Sequence, residues 1–416
     1  MPPCCKNYWL NFESIRESNK MKLLWFVSTL EDTKFVKEFA KSFDGVINLF
    51  HLNYLTRLNM LGFSGANYYP VSPRKVRESN VDVSKTFNVL ADRLTSIEAS
   101  KAYASTLYVL QNKIENIEGY VFVIPSGRHV HHIAATQFAE KTNIKRIYIN
   151  YSNFPGYTFF DPKGTDCLSS TFKNPSRLDE LTSEKLNVQS IFDKFSRLKE
   201  AQKSIPQVAS SGLSSSVKKT GFWVDTFLQK MTGFYGDRRL KLKVRSPEKE
   251  FHLEYDPVPK DQSFLFFPLQ VSTDQQVLVN FDGGSVFNAI DQAVALAEKE
   301  GCLICVREHP AESQKNEVRQ YLNVMRKRFP CLRIVLESVP AMIDGCSEVI
   351  TINSTVGLES RLKNKRVRFL GSSLYEKATD QQLANYLEMY LVNVDYHEPI
   401  LTKEHVSRIL GFSKVD

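Results

Sequence analysis

Residues 348–359 read Glu348-Val-Ile-Thr-Ile-Asn-Ser-Thr-Val-Gly-Leu-Glu359, and they decide the fold that the sequence predicts. The first five residues are mostly apolar and β-branched, which is typical of a buried strand. The hydroxyl and amide side chains that follow are of the kind that cap helices, so a helix is expected over residues 355–363. A strand that leads directly into a capped helix is the repeating step of a doubly wound α/β sheet.

The same step recurs along the rest of the chain. The second half has further strands, separated by helices, at residues 264–267, 303–307, 332–335 and 366–370. The first half has strands, again separated by helical patterns, at residues 22–28, 46–51, 120–125 and 145–150. Strands and helices that take turns along a chain favour parallel sheets built from βαβ units.

The length of 416 residues fits two α/β domains better than one. We expect an N-terminal domain over residues 21–250, with an extension at 1–20 before it and a Ser-rich loop or linker at 203–220 within it. A second domain is expected over residues 251–376, followed by C-terminal helices at 377–416. The hydrophobic fraction of 42% excludes a disordered or fibrous chain.

The chain carries 54 Lys and Arg against 46 Asp and Glu, a net charge of +8 that favours an anionic partner. Its basic clusters are Lys218-Lys219 and the segment 238–245. A peripheral contact with an anionic inner membrane is therefore expected, and a solvated charged surface is the alternative. No recognised nucleic-acid-binding motif accompanies the charge, so no nucleic-acid partner is expected.

The sequence favours a cytoplasmic protein. Its seven cysteines form no disulfide framework, which fits a reducing compartment. We find no apolar run long enough to span a bilayer and no secretory signal pattern at the N-terminus. The expected location is the cytoplasm, with peripheral attachment to the inner membrane.

Two patterns invite a metal interpretation. Cys302-Leu-Ile-Cys305 has the spacing of a zinc or redox motif, but it lies within a predicted buried strand. The cluster His129-Val-His131-His132 has no carboxylate or cysteine nearby in the sequence to complete a metal site. We therefore expect no metal and no cofactor.

Ligands of doubly wound sheets bind at the carboxyl ends of the strands, and three such ends carry polar residues. His309-Pro310 follows the strand at 303–307, and an imidazole there can donate to a phosphate oxygen. In residues 353–359, hydroxyls and free amides at a helix N-terminus form a phosphate site. The polar run 268–276 contains Asp274, the carboxylate expected to face a cleft. The structural alternatives are a packed loop histidine and ordinary helix capping.

In this order and spacing, the motifs resemble the capsule polysaccharide synthesis and export family, which includes retaining β-Kdo glycosyltransferases. In the second half, the resemblance is carried by Pro268-Leu-Gln270 with Asp274-Gln275, by Val306-Arg-Glu-His309-Pro310, and by Asn353-Ser-Thr-Val-Gly357-Leu-Glu359. In the first half, it is carried by Ser126-Gly-Arg128 with His132, and by Phe154-Pro-Gly156 leading into Asp161-Pro-Lys-Gly164. It covers most of residues 120–376.

The resemblance implies a GT-B fold, in which two Rossmann-like domains face each other across a cleft. The N-terminal domain would serve the acceptor and the C-terminal domain would bind the nucleotide sugar. The implied activity is a glycosyltransferase of capsule or surface polysaccharide biosynthesis, which transfers a β-Kdo-type sugar from CMP-Kdo with retention. The implied acceptor is a glycolipid or a polysaccharide.

The resemblance also implies roles for individual residues. Asp274 would be the carboxylate nucleophile. Contacts with the substrates are expected from Arg128, His132, Gln270 and Gln275. Contacts with the nucleotide are expected from His309, Pro310, Asn353, Ser354, Thr355, Gly357 and Glu359.

One position departs from the family pattern. Where the family has a glutamate, at the end of the strand 145–150, this chain has Asn150, which cannot exchange a proton. Three alternatives follow. Asp161 or Asp166 supplies the acid/base function, of which Asp161 is our candidate; the donor is a different nucleotide sugar; or the protein binds nucleotide or glycan in a capsule assembly complex without catalysing transfer.

Overall fold

The computed structural model describes residues 20–70, 80–201, 215–234, 236–237 and 251–414. These residues divide into two compact units. The first unit contains the described residues between 20 and 186, between 215 and 237, and from 384 to 414. The second contains residues 187–201 and 251–383.

The described strands and helices are numbered in chain order. The strands are β1 (Lys22–Val27), β2 (Val46–His51), β3 (Asn67–Tyr68), β4 (Tyr120–Pro125), β5 (Lys145–Tyr151), β6 (Thr158–Asp161), β7 (Phe264–Pro268), β8 (Leu303–Arg307), β9 (Leu332–Ile334), β10 (Glu348–Thr351) and β11 (Arg366–Phe369). The helices are α1 (Leu30–Ser42), α2 (Tyr54–Asn59), α3 (Phe87–Leu90), α4 (Ser96–Asn112), α5 (Val130–Lys141), α6 (Ser170–Lys173), α7 (Val188–Glu200), α8 (Ser215–Thr232), α9 (Gln275–Leu278), α10 (Val286–Glu300), α11 (Lys315–Arg328), α12 (Val339–Gly345), α13 (Thr355–Leu362), α14 (Leu374–Lys377), α15 (Asp380–Asn385) and α16 (Lys403–Gly411). Within the described ranges, no helix is both long enough and apolar enough to cross a membrane.

The strands of the first unit form one sheet in the order β3-β2-β1-β4-β5-β6. Each described neighbour pair is parallel except β5 and β6. The order is that of a Rossmann fold, and its direction reverses between β1 and β4. These two central strands are almost wholly buried, which is why their sequences are continuous apolar runs instead of alternating ones.

The strands of the second unit form a parallel sheet in the order β11-β10-β7-β8-β9. The chain enters through the central strand β7, adds β8 and β9 on one side, and then adds β10 and β11 on the other. The strand order therefore reverses between β7 and β10. On α10, Ile290, Val294 and Ala297 share one face and pack in the same core as Phe267 and Val306 of the sheet.

The α/β class and the two Rossmann-like domains expected from the sequence are confirmed. The division of the chain differs from the expected boundaries, because residues 384–414 belong to the first unit and residues 187–201 to the second. The C-terminal segment returns to the first sheet through Val392, whose backbone pairs with that of Thr158 at 2.8 and 3.0 Å. Of the expected linker at 203–220, residues 215–220 begin α8 and residues 203–214 lie outside the described residues, as do residues 1–19 of the expected extension.

Candidate functional site

Three loops of the second unit meet at one edge of its sheet. They follow β7, β8 and β10, which are neighbouring strands with β7 in the middle. Because these strands are parallel, the three loops lie at the same carboxyl edge, and two of them flank the position where the strand order reverses. The structure therefore brings the three motifs of the sequence to one place.

Gln270 and Asn353 join the loops that follow β7 and β10. Gln270 Nε2 donates to Asn353 Oδ1 at 3.3 Å, and the backbone N–H of Asn353 donates to Gln270 Oε1 at 3.3 Å. Both side chains are buried. These residues were expected to contact substrate and nucleotide, respectively; in this structure they contact each other and fix the relative position of the two loops.

A buried carboxylate, Glu312, joins the loops that follow β7 and β8. Ser272 donates to it through its backbone N–H at 2.8 Å and through its hydroxyl at 2.6 Å, and the backbone N–H of Gln314 donates at 2.8 Å. Sequence reasoning missed this residue. It lies near the start of a predicted helix, where an acidic side chain is ordinary, and its partner Ser272 lies 40 residues earlier.

Asp274 lies at the end of the loop after β7, where it caps α9. Its Oδ1 accepts a hydrogen bond from the backbone N–H of Gln276 at 2.8 Å. The side chains of Asp274 and of Gln275, the first residue of α9, are half-buried. The cap fixes the orientation of the carboxylate at the carboxyl edge of the sheet.

Arg307, the last residue of β8, brings a positive charge to this edge. Its side-chain Nε is buried and makes no hydrogen bond to any residue in the described ranges. Its backbone oxygen accepts from the N–H of Leu269 at 2.9 Å, which holds the end of β8 beside the loop after β7. Sequence reasoning gave Arg307 no role, although it lies within the block that ends in His309-Pro310.

His309 presents a hydrogen-bond donor close to Arg307 in the chain. Its Nδ1 accepts from the backbone N–H of Ala311 at 3.1 Å, so the proton of the neutral ring is on Nε2. Burial lowers the pKa of His309, Glu312 opposes this shift and Arg307 adds to it, so the imidazole is neutral near pH 7. Pro310 is exposed and follows the half-buried histidine.

The helix α13 begins at the end of the loop after β10. Ser354 is its N-cap, with Oγ accepting from the backbone N–H of Val356 at 3.2 Å, and Thr355 is its first residue. The first backbone amides of a helix lack partners within the helix, and the helix dipole favours an anion beside them. Ser354 and Thr355 thus lie where a phosphate group would bind.

Gly357 allows α13 to pack closely on the sheet. A Cβ atom at this position would lie 2.6 Å from Cε1 of Phe369 and 2.9 Å from Cγ2 of Thr351. Both distances are shorter than van der Waals contact, so a larger residue would push the helix away from β10 and β11. The glycine therefore has a packing role, which is distinct from the ligand contact expected from the sequence.

Glu359 lies one turn into α13 and faces α7. Its Oε1 is 3.5 Å from Lys199 Nζ, and both side chains are half-buried. Burial raises the pKa of Glu359, and Lys199 opposes the shift. The carboxylate expected to contact the nucleotide is therefore paired with a lysine within the same unit.

The carboxyl edge of the first sheet has an unusual turn after β4. Ser126 and Gly127 have φ angles of 55° and 73°, in the left-handed region that a non-glycine residue rarely adopts. Ser126 Oγ is buried without a hydrogen bond to a described residue. The backbone N–H of Ser126 donates to Ile149 O at 2.9 Å, which places the turn beside Asn150 at the end of β5. Strained turns of this kind collect at functional sites.

His129 follows this turn and forms a buried pair with Asp237. His129 Nδ1 lies 2.9 Å from Asp237 Oδ1, which also accepts from Asn88 Nδ2 at 3.0 Å. Nδ1 donates to the carboxylate, so Nε2 of the neutral ring carries no proton. Nε2 makes no hydrogen bond to the part of the chain that the structure describes, and it is not among the fully buried atoms. Sequence reasoning missed Asp237 because it lies 108 residues from His129.

Arg128 and His132 flank this pair. Arg128 is buried, and its Nη2 lies 3.0 Å from Cys167 Sγ. His132 is fully buried, with its ring edge-on to Phe26 at a centroid distance of 6.3 Å. The substrate contact expected of His132 does not fit this position, because the side chain lies in the core and presents no surface to a ligand.

Asp161 is enclosed by the protein. Its exposure is 0%, and its two oxygens accept hydrogen bonds from five groups. These donors are the backbone N–H groups of Lys163, Gly164 and Ser170, the hydroxyl of Ser170 and the hydroxyl of Tyr390. Burial raises the pKa of Asp161 and these donors oppose the shift. A carboxylate with this environment supports the structure, and the acid/base role expected of it does not fit.

We expect Asp161→Ala to destabilise the first unit severely. The substitution leaves buried donors without an acceptor, which should lower the free energy of unfolding by roughly 3–5 kcal/mol. Urea denaturation followed by circular dichroism measures the change. Asp44→Ala, at an exposed carboxylate of the same unit, is the control and should leave the unfolding midpoint unchanged. An Asp161→Ala protein that is as stable as the wild type but catalytically inactive would contradict the structural role and support the acid/base role of Asp161.

Within the described residues, no group of three or more His, Cys, Asp or Glu side chains is arranged to hold a metal ion. The histidine cluster illustrates why. His129 is engaged with Asp237, and His132 packs against Phe26 in the core. His131 is fully buried, with Nδ1 at 2.8 Å from Thr106 Oγ1. The three imidazoles therefore have separate surroundings.

Comparison with known proteins identifies similar sequences over part of the chain. The model of the family described as "Capsule polysaccharide biosynthesis protein" matches residues 225–388. Protein FixF of Sinorhizobium fredii (strain NBRC 101917 / NGR234) is 32% identical over 127 residues, which are 29% of this chain and 30% of that protein. The capsule polysaccharide export protein KpsS of Escherichia coli is 25% identical over 124 residues, 28% of this chain and 32% of that protein. The matches span about a third of the length of these relatives.

Among solved structures, KpsC of Thermosulfurimonas dismutans, a β-Kdo 2,7 transferase, is similar over 94% of this chain and 98% of its own. The TM-score is 0.41 and the sequence identity is 12%. The strand order of the two sheets establishes the fold, and the residues at their carboxyl edges define the candidate site.

Proposed function

From the resemblance to the capsule polysaccharide synthesis and export family, which the match over residues 225–388 supports, we propose that this chain is a glycosyltransferase of capsule polysaccharide biosynthesis. Its donor is CMP-Kdo or a closely similar CMP-activated keto-sugar, bound by the second unit. Its acceptor is a glycolipid or polysaccharide at the inner face of the membrane, bound by the first unit. Transfer retains the anomeric configuration.

The observation that carries this proposal is the set of phosphate-binding groups at the carboxyl edge of the second sheet. Arg307 supplies a guanidinium, His309 supplies a neutral N–H donor, and the N-terminus of α13 at Ser354 supplies backbone amides. All three lie on loops or strand ends around the reversal of strand order, where nucleotides bind in this fold class. A CMP phosphate would receive charge and hydrogen bonds from each.

Asp274 is the proposed nucleophile. In the first step its carboxylate oxygen forms a bond to the anomeric carbon of Kdo, while the bond from that carbon to the CMP phosphate oxygen breaks and CMP leaves. In the second step an acceptor hydroxyl forms a bond to the same carbon, the bond to Asp274 breaks, and the hydroxyl proton passes to a base. Two successive displacements restore the original configuration.

His129 is the proposed base. Asp237 orients the imidazole through Nδ1, so that Nε2 of the neutral ring is the atom that accepts the hydroxyl proton, as in other histidine–carboxylate pairs that activate oxygen nucleophiles. The position supports this role because His129 follows β4 at the reversal of strand order in the first sheet, near Asn150. The pair would thus supply the proton acceptor that Asn150 cannot.

We expect CMP to raise the melting temperature of the protein, because a ligand that binds only the native state stabilises it. Differential scanning fluorimetry with CMP, UDP and GDP at equal concentrations measures the effect. CMP should give the largest shift. A larger shift with UDP or GDP would indicate that the donor is another nucleotide sugar and not CMP-Kdo. A shift with CMP but no turnover of CMP-Kdo in the presence of acceptor would favour a non-catalytic binding protein.

A pair of arginine variants tests the location of the CMP site. Arg307→Gln removes the cation beside His309 and should abolish most of the CMP shift. Arg366→Gln removes an exposed arginine at the amino end of β11, on the opposite edge of the same sheet, and should leave the shift intact. Equal shifts in both variants would place CMP elsewhere.

A further inference from the structure

The helix α8 has an apolar face that is turned outward. Five large apolar side chains of this helix are between 40% and 71% exposed, namely Trp223, Val224, Phe227, Leu228 and Met231. At 100° per residue, Trp223, Phe227 and Met231 follow one another along one side of the helix, with Val224 and Leu228 next to them. We call these five residues the apolar face of α8.

The opposite side of α8 is polar and buried. Asp225, Thr226 and Gln229 are each at most 3% exposed. Asp225 Oδ1 accepts from the backbone N–H of Tyr54 at 2.7 Å, and Gln229 Nε2 donates to Asp225 Oδ2 at 2.7 Å. Gln229 Oε1 in turn accepts from the backbone N–H of Gly236 at 3.1 Å. The helix α8 thus buries a polar side and exposes an apolar side, which is the reverse of an ordinary surface helix.

These hydrogen bonds fix the rotation of α8. Turning the apolar face inward would break the hydrogen bonds of Asp225 and Gln229. The backbone N–H groups of Tyr54 and Gly236 would then lose their acceptors. The apolar face also has internal order, because the rings of Trp223 and Phe227 are stacked at a centroid distance of 5.8 Å and an interplanar angle of 7°. Contiguous exposed apolar surfaces of this kind mark sites of interaction.

The exposed charge that the structure describes on α8 is positive. Lys230 is exposed on α8, and the sequence of the same helix contains Lys218 and Lys219. The acidic residue of α8, Asp225, is buried on the other side. After Asp237 the sequence continues with Arg238, Arg239, Lys241, Lys243 and Arg245 before the next acidic residue, Glu248.

We infer that α8 docks the protein on an anionic lipid bilayer, with the apolar face inserted between head groups and Lys230 on the lipid phosphates. Aromatic and aliphatic side chains on one face, with basic residues beside them, are the composition of helices that lie in a membrane interface. Negative lipid head groups complement the cations, and a bilayer accommodates the exposed rings without a shaped pocket. This inference does not depend on the proposed sugar transfer.

Sedimentation of the full-length protein with vesicles tests the inference. One set of vesicles is phosphatidylcholine alone, and the other is an equal mixture of phosphatidylcholine and phosphatidylglycerol. We expect the wild type to sediment with the mixed vesicles and the double variant Trp223→Gln/Phe227→Gln to lose on the order of ten-fold in partitioning. The double variant Ile97→Gln/Ile400→Gln, at exposed isoleucines in other parts of the first unit, is the matched control and should bind as the wild type does.

Other outcomes would overturn the inference. Equal binding by the wild type and the Trp223→Gln/Phe227→Gln variant would exclude the apolar face as the contact. A wild type that ignores both vesicle types but forms a dimer in light scattering, which the same variant abolishes, would assign the face to a second copy of the chain. A wild type that neither binds vesicles nor dimerises would indicate that another segment of this chain covers the apolar face. Melting temperatures of the two double variants confirm that both are folded.

Discussion

Asp274→Asn should abolish sugar transfer while leaving the protein folded and able to bind CMP. Asparagine keeps an oxygen at the position that accepts the N–H of Gln276, so the cap of α9 survives. It lacks the negative charge that attacks the anomeric carbon, and loss of a nucleophile lowers kcat by at least about 10³-fold. Release of CMP from CMP-Kdo in the presence of acceptor measures the rate.

Intact-protein mass spectrometry gives this prediction a second readout. Wild type incubated with CMP-Kdo and no acceptor should gain the mass of one Kdo residue, located by proteolysis on the peptide that contains Asp274. The control is Asp282→Asn, which alters an exposed carboxylate shortly after α9 and should retain both the rate and the adduct. An Asp274→Asn protein that keeps its rate, or an adduct on a different peptide, would remove Asp274 from the mechanism.

The parts of the fold that the sequence predicts well are those whose pattern is local. Residues 303–307 form β8 with the predicted bounds, because a short apolar run ended by Glu-His-Pro contains both the strand and its termination. The Ser-Thr pair at 354–355 likewise marks the start of α13. Once these strands are placed in parallel order, the carboxyl edge of the second sheet follows, and with it the positions of Asp274 and His309.

The parts that the sequence does not predict depend on contacts between distant residues. Asp237 lies in a basic, Ser-poor stretch with no apolar period, and its partner His129 is on another element. From the sequence, Asp161 is a candidate acid/base because it begins the family-like block Asp161-Pro-Lys-Gly164, but in the folded unit the hydroxyl of Tyr390, from the far end of the chain, donates a hydrogen bond to it. Burial and the number of hydrogen bonds that a carboxylate accepts are properties of the folded unit. A titratable residue within a sequence motif is therefore not sufficient evidence of a catalytic role.

The two sheets have similar strand orders, and the proposed reaction assigns a different step to each. Each has the Rossmann strand order, and in each the groups of interest lie at the carboxyl edge, at or next to the reversal of that order. The second edge offers Arg307, His309 and the α13 N-terminus, which suit an anionic leaving group. The first offers His129 with Asp237, which suits removal of a proton. This division matches the separate requirements of a phosphate-activated donor and a hydroxyl acceptor.

His129→Asn should block the second half of the reaction while leaving the first intact. The asparagine amide can still donate to Asp237, as Nδ1 of the imidazole does, but the variant has no group equivalent to Nε2. Loss of a positioned base lowers a rate by roughly 10²–10⁴-fold. We therefore expect transfer to acceptor to fall by that factor, whereas the Kdo adduct on Asp274 still forms and accumulates even when acceptor is present.

The adduct separates a missing base from a damaged donor site. Asp237→Asn should act through His129, as a positioning variant, with a smaller loss of transfer and the same accumulation of adduct. Addition of Asn150→Glu to His129→Asn supplies a carboxylate at the neighbouring strand end and should restore part of the transfer. If His129→Asn instead prevents adduct formation, or transfers Kdo at the wild-type rate, the proton leaves by another route and His129 serves only the structure of the turn after β4.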